Sequence, residues 1–156
     1  MEITVRPIAF VKNERREVID DDWGDIVSEI ELTTEIIPEA FEGITDFSHV
    51  VIIFYMNKVL PEKTTILYRH PRNDPKFPKL GTYAQRHKNR PNQLGLTTVE
   101  LLERKGKSIF VKGLDAIHST PVLDIKPIMV EFQPKGTIRQ PEWTKEIMKD
   151  YWYTQP

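Results

Sequence analysis

His49-Val50-Val51-Ile52-Ile53-Phe54-Tyr55-Met56 is an unbroken apolar run, dense in β-branched and aromatic residues. Side chains branched at Cβ lose rotamer freedom against a helical turn but pack well on a pleated surface. The run is also strand-length, short of the roughly 10–12 residues that argue for a helix. It predicts a strand buried on both faces, central to a sheet.

Further strands are expected on either side. Glu2 to Lys12 alternates, with Pro7 marking an edge or a bulge. Asn13 to Gly24 is acidic and turn-like, and Asp25 to Leu32 alternates again from Ile26. Pro38 to Ile44 reads as a short helical turn that opens on Pro and closes at Gly43. Leu96–Glu103 and Ser108–Lys112 flank Arg104-Lys105-Gly106-Lys107, the pattern of a β-hairpin. Val122–Ile125 and Ile128–Phe132 predict two more short strands. Residues 58–80, carrying Pro61, Pro71, Pro75 and Pro78, read as a long structureless connection. From Pro141 to Tyr153, Trp143, Ile147, Met148, Tyr151 and Trp152 fall at helical spacing. Their stripe is expected to pack on the body of the fold, a subunit interface or a ligand lid being the alternatives. Many short strands with little helix predict an all-β barrel or sandwich.

The chain of 156 residues fits one domain of ordinary size, and no apolar run approaches the roughly 20 residues that cross a bilayer. Zero cysteines removes disulfides, thiolate metal sites and cysteine nucleophiles together. The N-terminal stretch lacks the layout of a signal peptide, so the cytoplasm is the expected address, with no membrane partner. Net charge is -1, but residues 1–46 hold thirteen Asp/Glu against four Lys/Arg. Between 69 and 90 stand seven cations (Arg69, Arg72, Lys76, Lys79, Arg86, Lys88, Arg90) and one acid, Asp74. Such a segment either recognises a phosphate-bearing partner or is a solvated loop.

Several chemistries lack their residues. His49, His70, His87 and His118 show neither His-x-x-x-His nor His-x-His spacing, so no metal site is expected. No Gly-x-Ser-x-Gly elbow supports Ser28, Ser48 or Ser119 as a nucleophile, and no Gly-rich nucleotide loop is present. Ser48 and His49 are expected to point to opposite faces of a strand, as sequence neighbours do. Two loops remain. Arg86-His87-Lys88-Asn89-Arg90-Pro91-Asn92 sets two guanidiniums beside a turn, able to grip carboxylate or phosphate. The alternative is that Arg90 and Asn92 staple the loop internally. Asp115-Ala116-Ile117-His118-Ser119-Thr120-Pro121 is a turn that can expose peptide groups to an adenine edge beside a carboxylate. Asp124 and Lys126, two apart on a strand, share a face, either as an ion pair or as candidate catalytic groups.

These loops carry a resemblance. Phe47-Ser48-His49, then Arg86 to Gly95, then His118-Ser119-Thr120-Pro121-Val122-Leu123-Asp124-Ile125-Lys126-Pro127-Ile128 resemble, in order and gap, the three hallmarks of the TsaA-like (YaeB or TrmO) family. The likeness runs over roughly residues 5–130, leaving an extension with a helix about 141–153. It implies a single TsaA-like domain over 1–156, a closed or partly open β-barrel with a short C-terminal helix. It further implies an S-adenosyl-L-methionine-dependent methyltransferase, a homodimer that methylates N6 of threonylcarbamoyl-adenosine in tRNA. Carried onto this chain, cofactor contacts would fall on Asn57, Lys58, Arg86, Leu96 and the turn Asp115, Ala116, Ile117 and His118. Asp115 and Asp124 would form a polar wall, with Asp124 and Lys126 the candidates for catalysis. Substrate RNA would meet Lys76, Lys79, Lys88 and Arg90.

The chain departs from the family pattern at several points. Asn57-Lys58 stands where His-Gln is common, and Asp21-Asp22-Trp23-Gly24 occupies the region of an absent Pro-Arg-Gln. His118-Ser119 replaces Asp-Gly, and Ile128 replaces Tyr. The alternatives are a methyltransferase of the same fold with another acceptor, a catalytically silent cofactor-binding protein, and a nucleic-acid module without a small ligand.

Overall fold

A computed structural model describes residues 1–154 and 156. Six strands close a barrel in the order β1-β2-β7-β6-β3-β8, every pairing antiparallel. They are β1 (Ala9–Lys12), β2 (Val27–Leu32), β3 (His49–Tyr55), β6 (Leu94–Lys105), β7 (Ser108–Lys112) and β8 (Pro121–Pro127). Closure comes from the short β1–β8 ladder, with Ala9 opposite Val122. A closed barrel leaves no free sheet edge, which suits a chain whose strands are this short.

Alternation along each strand fills the interior. Ala9, Val11, Ile30, Val50, Ile52, Ile109, Val111 and Val122 are fully buried there. Burying side chains of this size contributes about 1.5–3 kcal/mol each relative to exposure, and the barrel concentrates that burial in one core. β3 is paired on both edges, with β6 and β8. It is not buried on both faces, however: Val50, Ile52 and Phe54 face the core while Val51, Ile53 and Tyr55 are half-buried outside. Between β6 and β7, Gly106 turns the hairpin at φ 58°, a left-handed conformation that glycine adopts without steric cost.

Three other expectations are corrected. Ile128–Phe132 is not a strand: the ladder ends at Pro127, Ile128 N–H makes one last bond to His49 O, and Val130–Phe132 is a 3-10 turn. Residues 58–80 are not structureless. Their prolines open 3-10 turns at Pro61–Thr65 and Pro71–Asn73, and β4 (Tyr68–Arg69) pairs with β5 (Leu80–Gly81). Gln85, almost fully buried, ties that insert together by donating from Nε2 to Arg69 O and Leu80 O, both at 3.0 Å. Ser48 and His49 do meet: Ser48 Oγ lies 2.8 Å from His49 Nδ1 at an exposed position. Ser48 precedes β3, so the strand's alternation does not reach it.

The helix α1 (Glu142–Met148) forms in the expected place. It packs sideways on the insert, with Trp143 6.4 Å from the Phe77 ring and Glu146 3.0 Å from Lys76 Nζ. Past the helix the chain runs back along the 22–24 segment. Asp22 N–H bonds Asp150 O at 3.1 Å and Trp23 N–H bonds Tyr151 O at 2.9 Å. Gly24 permits that approach, since a Cβ there would sit 2.5 Å from Trp152 O.

Candidate functional site

One end of the barrel gathers four connections: 13–26 after β1, 56–59 after β3, 113–120 after β7, and the C-terminal segment. Between them lies a cavity of about 110 Å³. Its walls include Phe54, Met56, Asn57 and Lys58 on one side and Asp115, Ala116 and Ile117 on the other. Val18, Ile19, Asp20, Trp23 and Tyr151 close it over. A second cavity, of about 260 Å³, is lined by apolar side chains alone, among them Phe41 and Ile125. Ligand sites join an apolar surface to a few convergent polar groups; only the first cavity has both.

Each wall is held by side chains that sequence reading does not identify. Gln93 secures the 56–59 loop, donating from Nε2 to Met56 O at 3.0 Å and Val59 O at 3.2 Å. Its Oε1 accepts the Tyr55 hydroxyl at 3.0 Å. Asn13 secures the opposite wall, with Nδ2 donating to Ala116 O and to the buried Ser28 Oγ, both at 2.9 Å. Arg15 folds the acidic loop over the cavity. Its guanidinium donates to Asp21 O at 2.8 Å and Asp22 O at 2.6 Å, and lies 4.4 Å above the buried ring of Trp23. A guanidinium on an indole face adds about 0.5–2 kcal/mol.

Asp115 is one of three charged residues lining the cavity, with Asp20 and Lys58. Thr97 Oγ1, on β6, donates to its Oδ1 at 2.5 Å, and the Tyr151 hydroxyl donates to its Oδ2. A carboxylate has about four acceptor positions, so two remain after these bonds. Burial first, then the Asp115 charge, raises the Tyr151 pKa well above the usual phenol range, so the hydroxyl stays a donor. Asp20 and Arg86 also act electrostatically on that phenol.

The residues named from the sequence divide accordingly. Asn57, Lys58, Asp115, Ala116 and Ile117 come together as cavity lining. Arg86, Leu96 and His118 do not line it. Arg86 Nη2 donates to Leu96 O at 2.8 Å, one residue before Thr97, and His118 braces the acidic loop through its N–H to Arg15 O at 2.8 Å. The 115–120 turn offers fewer peptide groups than its sequence promises. Ala116 O, Ile117 O and the N–H groups of His118, Ser119 and Thr120 are all bonded internally.

Asp124 and Lys126 lie away from the cavity, as an exposed ion pair of 2.8 Å on β8. Arg90 is the staple of its loop, donating from Nη1 to Thr82 O at 3.2 Å and Gln85 O at 2.7 Å; Asn92 is exposed. Lys76 lies between Asp74 and Glu146, Lys79 sits 4.8 Å over the Tyr68 ring, and Lys88 is 3.7 Å from Asp20. Beside them, His87 is partly buried with neither ring nitrogen bonded. Burial, then Arg69, Arg90 and Lys88, lower its pKa to about 4. Among the described residues no group of three or more His, Cys, Asp or Glu is placed to hold a metal ion, and no helix is long and apolar enough to cross a membrane.

Comparison with known proteins places this architecture. Residues 22–133 match the family model of the tRNA-methyltransferase O N-terminal domain. A Methanothermobacter thermautotrophicus protein, named a probable S-adenosyl-L-methionine-binding protein, is 35% identical over 139 residues, covering 87% of this chain and 97% of that one. The human tRNA (adenine(37)-N6)-methyltransferase is 36% identical over 99 residues, which are 64% of this chain and 22% of the human protein. The crystal structure of TrmO from Pseudomonas aeruginosa matches with a TM-score of 0.71 at 25% identity, over 89% of this chain and 62% of that one. The chain thus spans less than two thirds of the Pseudomonas protein and a smaller share of the human enzyme.

Proposed function

This chain belongs to the tRNA-methyltransferase O N-terminal domain family, and on that premise we propose that it is an S-adenosyl-L-methionine-dependent tRNA methyltransferase, acting on N6 of threonylcarbamoyl-adenosine. The supporting observation is the convergence of Asn57, Lys58, Asp115, Ala116 and Ile117 on one cavity. Those residues come from two loops far apart in sequence, and both loops lie within the segment that matches the family.

The donor set suits an adenosyl sulfonium. Asp115 keeps acceptor positions for hydrogen-bond donors and offers negative charge to a cation, and Asp20 adds a second carboxylate. Met56, Phe54, Trp23 and Ile19 supply the apolar surface that excludes water. When bound, S-adenosyl-L-methionine would supply an electrophilic methyl group whose transfer removes the positive charge from sulfur. The chain's part is orientation. Lys58 and Asn57 would offer polar contacts to the ligand, while Asp115, fixed on both oxygens, would accept its hydrogen-bond donors. Positioning of this kind contributes on the order of 7–11 kcal/mol in well-oriented reactions. At about 110 Å³ the cavity is below the roughly 300–1,000 Å³ of a complete site for a drug-sized ligand, so it would hold only part of the cofactor. RNA would approach over the basic insert, where Lys79 lies over the Tyr68 ring, with Lys88 nearby at 3.7 Å from Asp20.

The test is mass spectrometry of nucleosides from tRNA incubated with the protein and S-adenosyl-L-methionine. A modified adenosine heavier by one methyl group is expected. Cofactor binding with tRNA left unmethylated would favour the second reading, a cofactor-binding protein without this activity, which the name of the Methanothermobacter relative keeps in view.

A further inference from the structure

The family match ends at residue 133, yet the cavity has a wall from beyond it. Tyr151 reaches the cavity from the segment after α1, and its hydroxyl donates to Asp115 Oδ2. Three features hold that segment in place. Its backbone pairs with Asp22 and Trp23, Gly24 admits it at a distance no side chain would allow, and Arg15 and Arg72 anchor the loop it pairs with. Arg72 does so by a two-pronged bond to Asp21, at 2.5 and 2.9 Å.

We propose that Tyr151 is a positioning residue of the cofactor pocket. With Thr97 it clamps the Asp115 carboxylate so that the remaining acceptor positions point at the donors of the bound cofactor. The C-terminal tail is therefore part of the binding site. A carboxylate held by one donor can rotate about its Cβ–Cγ bond; held on both oxygens by groups from β6 and the tail, it cannot. Such preorganisation raises affinity by removing the ordering cost from the binding step. The inference rests on the cofactor assignment made above.

Isothermal titration with S-adenosyl-L-methionine on wild type, Tyr151→Phe, Asp115→Asn and the double variant tests it. Tyr151→Phe keeps the ring and removes only the hydroxyl, so the fold should persist with a thermal midpoint lowered by no more than a few degrees. Affinity should fall by roughly three- to tenfold, the cost of ordering the released carboxylate at the binding step. In the Asp115→Asn background the same change should alter affinity by less than about twofold, because the partner it acts through is gone. A purely structural tyrosine would not show that dependence. Wild-type affinity in Tyr151→Phe, or effects of the two substitutions that multiply independently, would overturn the proposal. No binding by wild type would instead remove the cofactor assignment, and this inference with it.

Discussion

Phe54 lies directly against the backbone of Gly95. The two are paired across β3 and β6, and a Cβ at position 95 would sit 2.2 Å from Cε2 and Cζ of the ring. Phe54 is 4% exposed and joins the barrel core to the floor of the cavity. The glycine is thus required by a close approach, since its φ is not in the left-handed region. Gly95→Ala should force the ring off its rotamer and lower stability by about 1–3 kcal/mol, as overpacking does in a dense core. Urea denaturation measures this; an unchanged midpoint would show that Phe54 can move freely.

Gln93 should govern the 56–59 wall. Gln93→Ala removes three hydrogen bonds and leaves Met56 O and Val59 O without that donor. It also places alanine at φ 51°. A loss of about 1–3 kcal/mol is expected, with weaker S-adenosyl-L-methionine binding because Asn57 and Lys58 lose their support. Calorimetry showing wild-type cofactor affinity would detach the loop from the site.

His87 makes stability depend on pH. Its native pKa, about 4, lies below the ordinary value of 6.5. The unfolded chain therefore binds a proton between those values that the folded chain does not. This contribution is present above pH 6.5 and is lost as pH falls through 6.5 toward 4. Solvent screens a partly buried ring, so the loss should be on the order of 1–2 kcal/mol. Thermal midpoints at pH 7 and 4.5 should differ less in His87→Gln than in wild type. Equal differences would remove His87 from the balance.

The basic insert should carry RNA affinity that salt weakens. Charge reversal of Lys76 and Lys79 is expected to lower tRNA affinity and to reduce the dependence of log K on log salt by about 1–2, as lost phosphate contacts do. Because Lys76 is already paired with Glu146 and Asp74, Lys79 should account for more of the change. Cofactor affinity should not move. Filter binding at two salt concentrations decides this, and an unaltered slope would take the insert out of the RNA path.

What could be read from the sequence follows the range of each interaction. The alternation of β2, β6 and β7 is local, and so was legible. The continuous apolar run of β3 announced a strand but not how its outer face is covered. Ile128–Phe132 has strand propensity and no partner strand, because Pro127 ends the ladder; propensity does not report pairing. Prolines in 58–80 hid a small sheet whose stability depends on the side chain of Gln85. At the site, the 115–121 turn was legible from its own residues, and Asn57-Lys58 through the family resemblance. Trp23, Gln93 and Tyr151 were not, because each acts through a contact with a distant segment. No periodicity links Tyr151 to Asp115, and the tail's apolar stripe pointed to packing more readily than to a ligand wall.

The central claim is that one end of the barrel cradles an adenosyl sulfonium between Asn57-Lys58 and Asp115-Ala116-Ile117. Crystals grown in saturating S-adenosyl-L-methionine test it most directly. The account predicts density for the cofactor in that cavity, with a hydrogen-bond donor of the ligand on the Asp115 carboxylate. Density bound elsewhere on the molecule, with the cavity closed by the protein's own side chains, would contradict it.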